Sequence, residues 1–193
     1  MNIIDKIKIF RFSHEMIESD LNEIETKYQL KLRPENELIK DKDEKYYPQF
    51  DESIRNEARE MSLHYELFYC LEKSIRKLIS EKMKAEHGAM WWDKKVPQEI
   101  NKNAEENIKK EQEAGVSPRS SEKIDYINFG DLKVIVDSNW ETFSDTFNNQ
   151  KAFGKVMAVL NLLRSPIAHC SNLADDEIDR LELAIKDWFR LME

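Results

Sequence analysis

The stretch DESIRNEAREMSLHYELFYCLEKSIRKLISEKMKAE, residues 51–86, decides the fold class. Ile54, Ala58, Met61, Tyr65, Phe68, Leu71, Ile75, Leu78, Ile79 and Met83 recur at spacings of three and four, with charged residues between them. That period matches the 3.6-residue turn and gives one long amphipathic helix whose apolar stripe must be covered. Gly88 is its expected stop.

Working outward, the rest of the chain reads the same way. From Met1 to about Lys31, Ile3, Ile7, Phe10, Ile17, Leu21, Ile24 and Tyr28 outline an amphipathic helical arm. Pro34 ends it, and 35–52 is a charged connector, which sets expected boundaries of 1–50 for the arm and 51–193 for the main domain. Beyond the Trp91-Trp92 pair, Pro97 suits the first turn of a polar helix closed by Gly115, and the segment up to Lys123 reads as a mobile loop. Asp131 is the expected cap of a short helix over 132–138, with Gly130 opening a turn before it. Two amphipathic helices, about 151–163 and 175–192, close the chain. The predicted class is an all-α helical bundle with an N-terminal helical arm.

Composition supports this and excludes much else. Four Gly and five Pro in 193 residues are nine strong turn-formers where average usage would give roughly 20. A β-sandwich lacks its turns, and a Rossmann or P-loop domain lacks its glycine-rich phosphate loop. The net charge of −8 argues against coating nucleic acid by counterion release, while leaving room for a local basic site. Residues 73–84 supply one, with Lys73, Arg76, Lys77, Lys82 and Lys84 against Glu81 alone. Cys70 and Cys170 show no metal-type spacing and fit a reducing cytoplasm. The N-terminus has no signal-peptide pattern, and apolar runs such as AVLNLL at 158–163 are far shorter than the roughly 18 residues of a membrane span, so no membrane partner is expected. His14 and Glu18 have helical ligand spacing without a third ligand, and no metal or cofactor is expected.

The segment LNLLRSPIAHC, residues 160–170, carries the chemistry. Arg164 and His169 are five positions apart, which in an unbroken helix is about 140° around the axis and about 7.5 Å along it. Ser165 followed by Pro166 reads as an N-cap and a first helical residue, so a corner is expected that turns Arg164 and His169 toward one site. An imidazole that titrates near neutrality can move a proton, and a guanidinium can fork onto a phosphate. The pair suits metal-free RNA cleavage.

These landmarks, in their order, resemble the HEPN superfamily. YELFYCLEKSIRKLI (65–79), GAMWWDKKVPQEI (88–100), YINFGDL (126–132), Asn139-Trp140-Glu141-x-Phe143 and LNLLRSPIAH with its R-x4-H motif are similar to a branch found in RNA-processing and defence proteins. The resemblance covers about residues 53–192. It implies a HEPN-like bundle that forms a homodimer, with one R-x4-H motif from each copy facing a shared cleft. It also implies a metal-independent endoribonuclease of toxin–antitoxin or anti-phage systems. On that reading Arg164 binds the scissile phosphate and His169 is general base or acid as the ribose 2′-OH attacks, leaving a 2′,3′-cyclic phosphate. Ser165, which can donate a hydrogen bond, stands where members often have Asn, Asp or His. Glu72 and Arg76 resemble the family's acidic–basic helix motif. Glu72 would orient Arg164 or His169 and Arg76 would hold RNA, alongside Lys73 and Lys77. The partners implied are RNA and an antitoxin or other partner protein. Ser165 and the acidic charge keep a second reading open, a non-catalytic HEPN dimer that binds RNA or a nucleotide for a partner. A purely structural helical adaptor is the third.

Overall fold

The computed structural model describes residues 21, 24, 27, 28 and 49–193. Its contacts divide the chain into two compact units, 1–55 and 56–193. In the first, Leu21, Ile24, Lys27 and Tyr28 are helical, in keeping with the expected arm. The remainder of that arm, the connector up to residue 48, and the His14 and Glu18 pair lie outside the described residues.

From residue 49 onward the chain is all-α: α1 (Glu52–His87), α2 (Trp91–Lys95), α3 (Gln98–Glu113), a 3-10 turn (Lys123–Tyr126), α4 (Phe129–Ser138), α5 (Trp140–Phe143), α6 (Gln150–Ala168) and α7 (Asp175–Arg190). Helix α1 has the predicted extent, and Gly88 ends it with φ of 75°, a conformation open to glycine without a Cβ penalty. Its stripe is buried only from Phe68 onward, through Leu71, Ile75, Ile79 and Met83. Ile54 and Tyr65, expected in the same stripe, are exposed.

The core gathers the inward rows of these helices. Helix α6 sits between α4 and α7, contributing Phe153, Met157, Leu160 and Leu163 opposite Leu181, Ala184 and Trp188 of α7. Phe147 fills the space between, its ring 4.8 Å from Phe153 and 5.3 Å from Trp188. Trp91 and Trp92 are core residues, as their size predicts. Helix α3 is polar apart from a narrow face that buries Ile100 and Ala104, and it packs on the 3-10 turn. The following loop is tied down by Tyr126, whose hydroxyl donates to the Ser120 carbonyl at 2.9 Å and whose ring carries the Arg119 guanidinium.

Four further local expectations change. Pro97 occupies the N-cap position of α3, one residue before its first turn. Asp131 is not the cap of α4: Asn128 holds that place, and Asp131 Oδ2 accepts the Asn128 N–H at 3.0 Å from the third helical position. Asp131 thus supplies the backward-reaching half of a capping box. Gly130 lies within the first turn of that helix and opens no separate turn. Most consequentially, there is no corner at Ser165-Pro166. Helix α6 runs through both to Ala168. Proline removes one backbone donor, leaving the Leu162 carbonyl without its helical partner, and Leu162 is 70% exposed, where water can serve. The helix continues because Leu160 and Leu163 anchor it in the core and the His169 N–H still reaches the Ser165 carbonyl at 3.0 Å.

Candidate functional site

The site begins with two helices, α1 and α6, that cross where each presents a charged residue. On α1, Tyr65, Tyr69, Glu72 and Arg76 follow one another at intervals of four, three and four, a single helix face. On α6, Arg164 shares a face with Ile167 and Ala168. Glu72 joins the two helices: its Oε2 accepts the Arg164 Nε–H at 2.9 Å, and its Oε1 accepts the Arg76 Nε–H at 3.1 Å. One carboxylate therefore spans two guanidiniums.

Arg76 is the buried partner, at 7% exposure. Its terminal nitrogens donate to Glu72 and to the carbonyls of Ile124 and Ile127, the last at 3.0 Å. Arg76 is the residue expected to hold RNA, and these donors are all engaged within the protein. It holds Glu72 and the 3-10 turn. Arg164 is different. Its Nε is engaged, while its two terminal nitrogens have no partner among the described residues, and the side chain is partly open to solvent. Burial pushes the Glu72 carboxyl up, but the hydrogen bonds and charges of Arg76 and then Arg164 outweigh it and hold its pKa below the ordinary value. The carboxylate is thus an ionised brace.

Around Arg164 lies a recess of about 200 Å³ lined by Tyr65, Phe68, Tyr69, Glu72, Lys73, Ile167 and Ala168. A second groove of about 510 Å³ shares Tyr69, Glu72, Lys73 and Arg164 with it and runs on past Asn107, Arg119 and Asn128. Lys73 is exposed and pairs with Asp125 at 3.3 Å. Lys77, also exposed, lies 3.8 Å from Glu81.

Residues 66–193 match the family described as Swt1-like HEPN. The chain belongs to the HEPN superfamily. No curated protein and no solved structure is matched by it.

The R-x4-H segment of this HEPN domain is arranged differently from the predicted corner. His169 is the C-cap of α6, with φ of −110°, and Cys170 after it takes φ of 55°. The Ser171 N–H closes back on the Pro166 carbonyl at 2.9 Å, the six-residue bond of a Schellman ending. His169 is exposed, lies outside the lining of the Arg164 recess, and has no side-chain partner among the described residues. Helix α6 is unbroken from Arg164 through Ala168, and in a regular helix positions five apart point about 140° from one another. Ser165, between them, is exposed. The domain thus brings Arg164, Glu72, Arg76 and Lys73 together, and leaves His169 exposed and outside the recess.

Tyr65 and Tyr69 were missed as site residues. The signal was their spacing, which continues the Glu72 and Arg76 face one and two turns toward the N-terminus, away from the buried Phe68 and Leu71 row. Among the described residues no cluster of three metal-ligating side chains occurs, and no helix is long and apolar enough to cross a membrane.

Proposed function

We propose that this HEPN domain is a metal-independent endoribonuclease whose site is completed by a second copy of the chain. The observation that carries the reading is the fixed guanidinium of Arg164, braced at Nε by Glu72 with its terminal nitrogens unengaged. Such a group forks onto the non-bridging oxygens of a phosphodiester and stabilises the charge that grows on them in the transition state. Glu72 and Arg76 are positioning residues: they hold Arg164 and touch no substrate. Lys73 and Lys77 add positive charge along the approach.

In the reaction, His169 of the partner subunit takes the proton from the ribose 2′-OH as that oxygen attacks phosphorus. The P–O5′ bond breaks, and the leaving 5′ oxygen takes a proton from solvent water, whose hydroxide is neutralised by the proton that the partner's His169 releases. The products are a 2′,3′-cyclic phosphate and a 5′-hydroxyl. A homodimer supports this assignment because Arg164 and His169 diverge within one chain, and a two-fold axis can bring the arginine of one copy against the histidine of the other. Ser165 adds a hydroxyl between them. The biological setting consistent with this activity is a toxin or anti-phage system in the cytoplasm, restrained by an antitoxin or other partner protein.

The same divergence also favours a second reading, an RNA-binding dimer without catalysis. RNA cleavage in EDTA, compared among the unaltered chain, Arg164→Ala and His169→Ala, separates the two. Cleavage that disappears in both variants supports the enzyme. Cleavage indifferent to both rejects it, and RNA binding without cleavage by the unaltered chain establishes the second reading.

A further inference from the structure

We propose that Tyr65 and Tyr69 form a stacking subsite for a nucleobase of single-stranded RNA, next to the phosphate held by Arg164. The inference rests on the proposed ribonuclease reading and extends it to how substrate is gripped.

The two rings lie one helical turn apart on α1, 6.1 Å between centroids and tilted by 34°. They are 58% and 54% exposed, an open aromatic face that includes Tyr65, which the apolar period alone would place in the core. Both line the recess that includes Arg164, together with the apolar Phe68, Ile167 and Ala168. At about 200 Å³ the recess is smaller than the roughly 300–1,000 Å³ of drug-sized ligand pockets, which fits a subsite for one base and not a pocket for a whole ligand. A flat apolar wall beside a fixed cation is the chemistry that recognises a nucleotide: the base stacks and the phosphate pairs.

Charge selects the occupant. Both oxygens of Glu72, the acidic residue in the lining, are taken by Arg76 and Arg164. What faces the recess is the remainder of Arg164, with Lys73 beside it in its ion pair with Asp125, so the unengaged guanidinium nitrogens are the cationic end that favours an anionic ligand. Because Tyr69, Lys73 and Arg164 also line the longer groove, a strand leaving the recess has a continuous path. A base within a duplex is already stacked and cannot lie on the platform, so the subsite is for unpaired RNA, with little dependence on base identity.

The test uses the full chain and a 2′-O-methyl oligoribonucleotide, which lacks the attacking hydroxyl and remains intact. Tyr65→Ala and Tyr69→Ala are each expected to raise Kd by roughly 5- to 150-fold, the range for losing one base stack. Tyr69→Phe is expected to bind as the unaltered chain does. An oligonucleotide with abasic positions is expected to bind weakly to the unaltered chain and no more weakly to Tyr69→Ala. Unchanged Kd in both alanine variants, with cleavage of ordinary RNA retained, overturns the subsite and leaves the ribonuclease reading standing. Failure of the unaltered chain both to bind and to cleave overturns both. A fall in solution mass from dimer to monomer that tracks the loss of binding also overturns the subsite, since these rings would then be covered by a second copy.

Discussion

Glu72 accepts the Nε–H of Arg164 at 2.9 Å across a separation of 92 residues. That hydrogen bond ties the long first helix to the helix bearing the R-x4-H segment, and it turns a flexible side chain into a fixed one. Arg76, behind Glu72, makes the arrangement rigid by anchoring the carboxylate to the Ile124 and Ile127 carbonyls.

Replacing Glu72 tests that brace. Glu72→Ala leaves the buried Arg76 charge without its carboxylate, a change expected to cost about 2–4 kcal/mol of stability. Glu72→Gln keeps the shape and one acceptor, so it is expected to fold well. Its RNA cleavage should fall about 10- to 100-fold through kcat, because Arg164 loses its fixed aim. Denaturant melts and steady-state kinetics read the two effects separately. Full kcat in Glu72→Gln would contradict the positioning role.

The same pair sets a pH dependence. Burial raises the Glu72 pKa, and Arg76 and Arg164 outweigh it, so the folded value lies below the ordinary 4.5. The unfolded chain therefore binds this proton at a higher pH than the folded one. The stabilisation is fully present above the ordinary carboxylate range and is lost as pH falls through the depressed value. Plotted against pH, the denaturation midpoint of Glu72→Gln should fall less steeply in acid than that of the unaltered chain. Equal acid slopes would show that Glu72 gains nothing from its two arginines.

Pro166 sits inside α6, where it forfeits one backbone hydrogen bond. Pro166→Ala restores that donor to the Leu162 carbonyl and is expected to stabilise the domain by about 1–3 kcal/mol. A thermal melt decides it: a lower Tm would favour a true corner at this position.

Cys170 adopts φ of 55° immediately after the helix, a region that costs a residue with a Cβ roughly 1 kcal/mol. Cys170→Gly is therefore expected to gain about that much stability and to shift the urea midpoint upward. An unchanged or lower midpoint would mean the thiol makes a compensating contribution.

Much of this architecture was legible in the sequence, for identifiable reasons. The Phe68–Met83 row, the Gly88 stop and the burial of Trp91 and Trp92 follow from helical period and side-chain size. Tyr65 departs from the period because the core no longer covers α1 at that turn, something no single helix encodes. The corner expected at Ser165-Pro166 failed because local proline preference weighs less than the anchoring of Leu160 and Leu163 on the same helix. The Glu72 and Arg76 ion pair was visible from spacing. Its reach to Arg164 depends on how α1 crosses α6, a tertiary fact outside any local pattern.

The central claim is that one chain carries Arg164 and His169 apart and a second copy unites them. Co-expressing Arg164→Ala with His169→Ala, each inactive alone, tests it directly. Half of randomly assembled two-fold dimers are mixed, and one of the two sites in each is intact, so the mixture should recover about a quarter of the unaltered cleavage rate. A mixture as inactive as its parents would contradict the account.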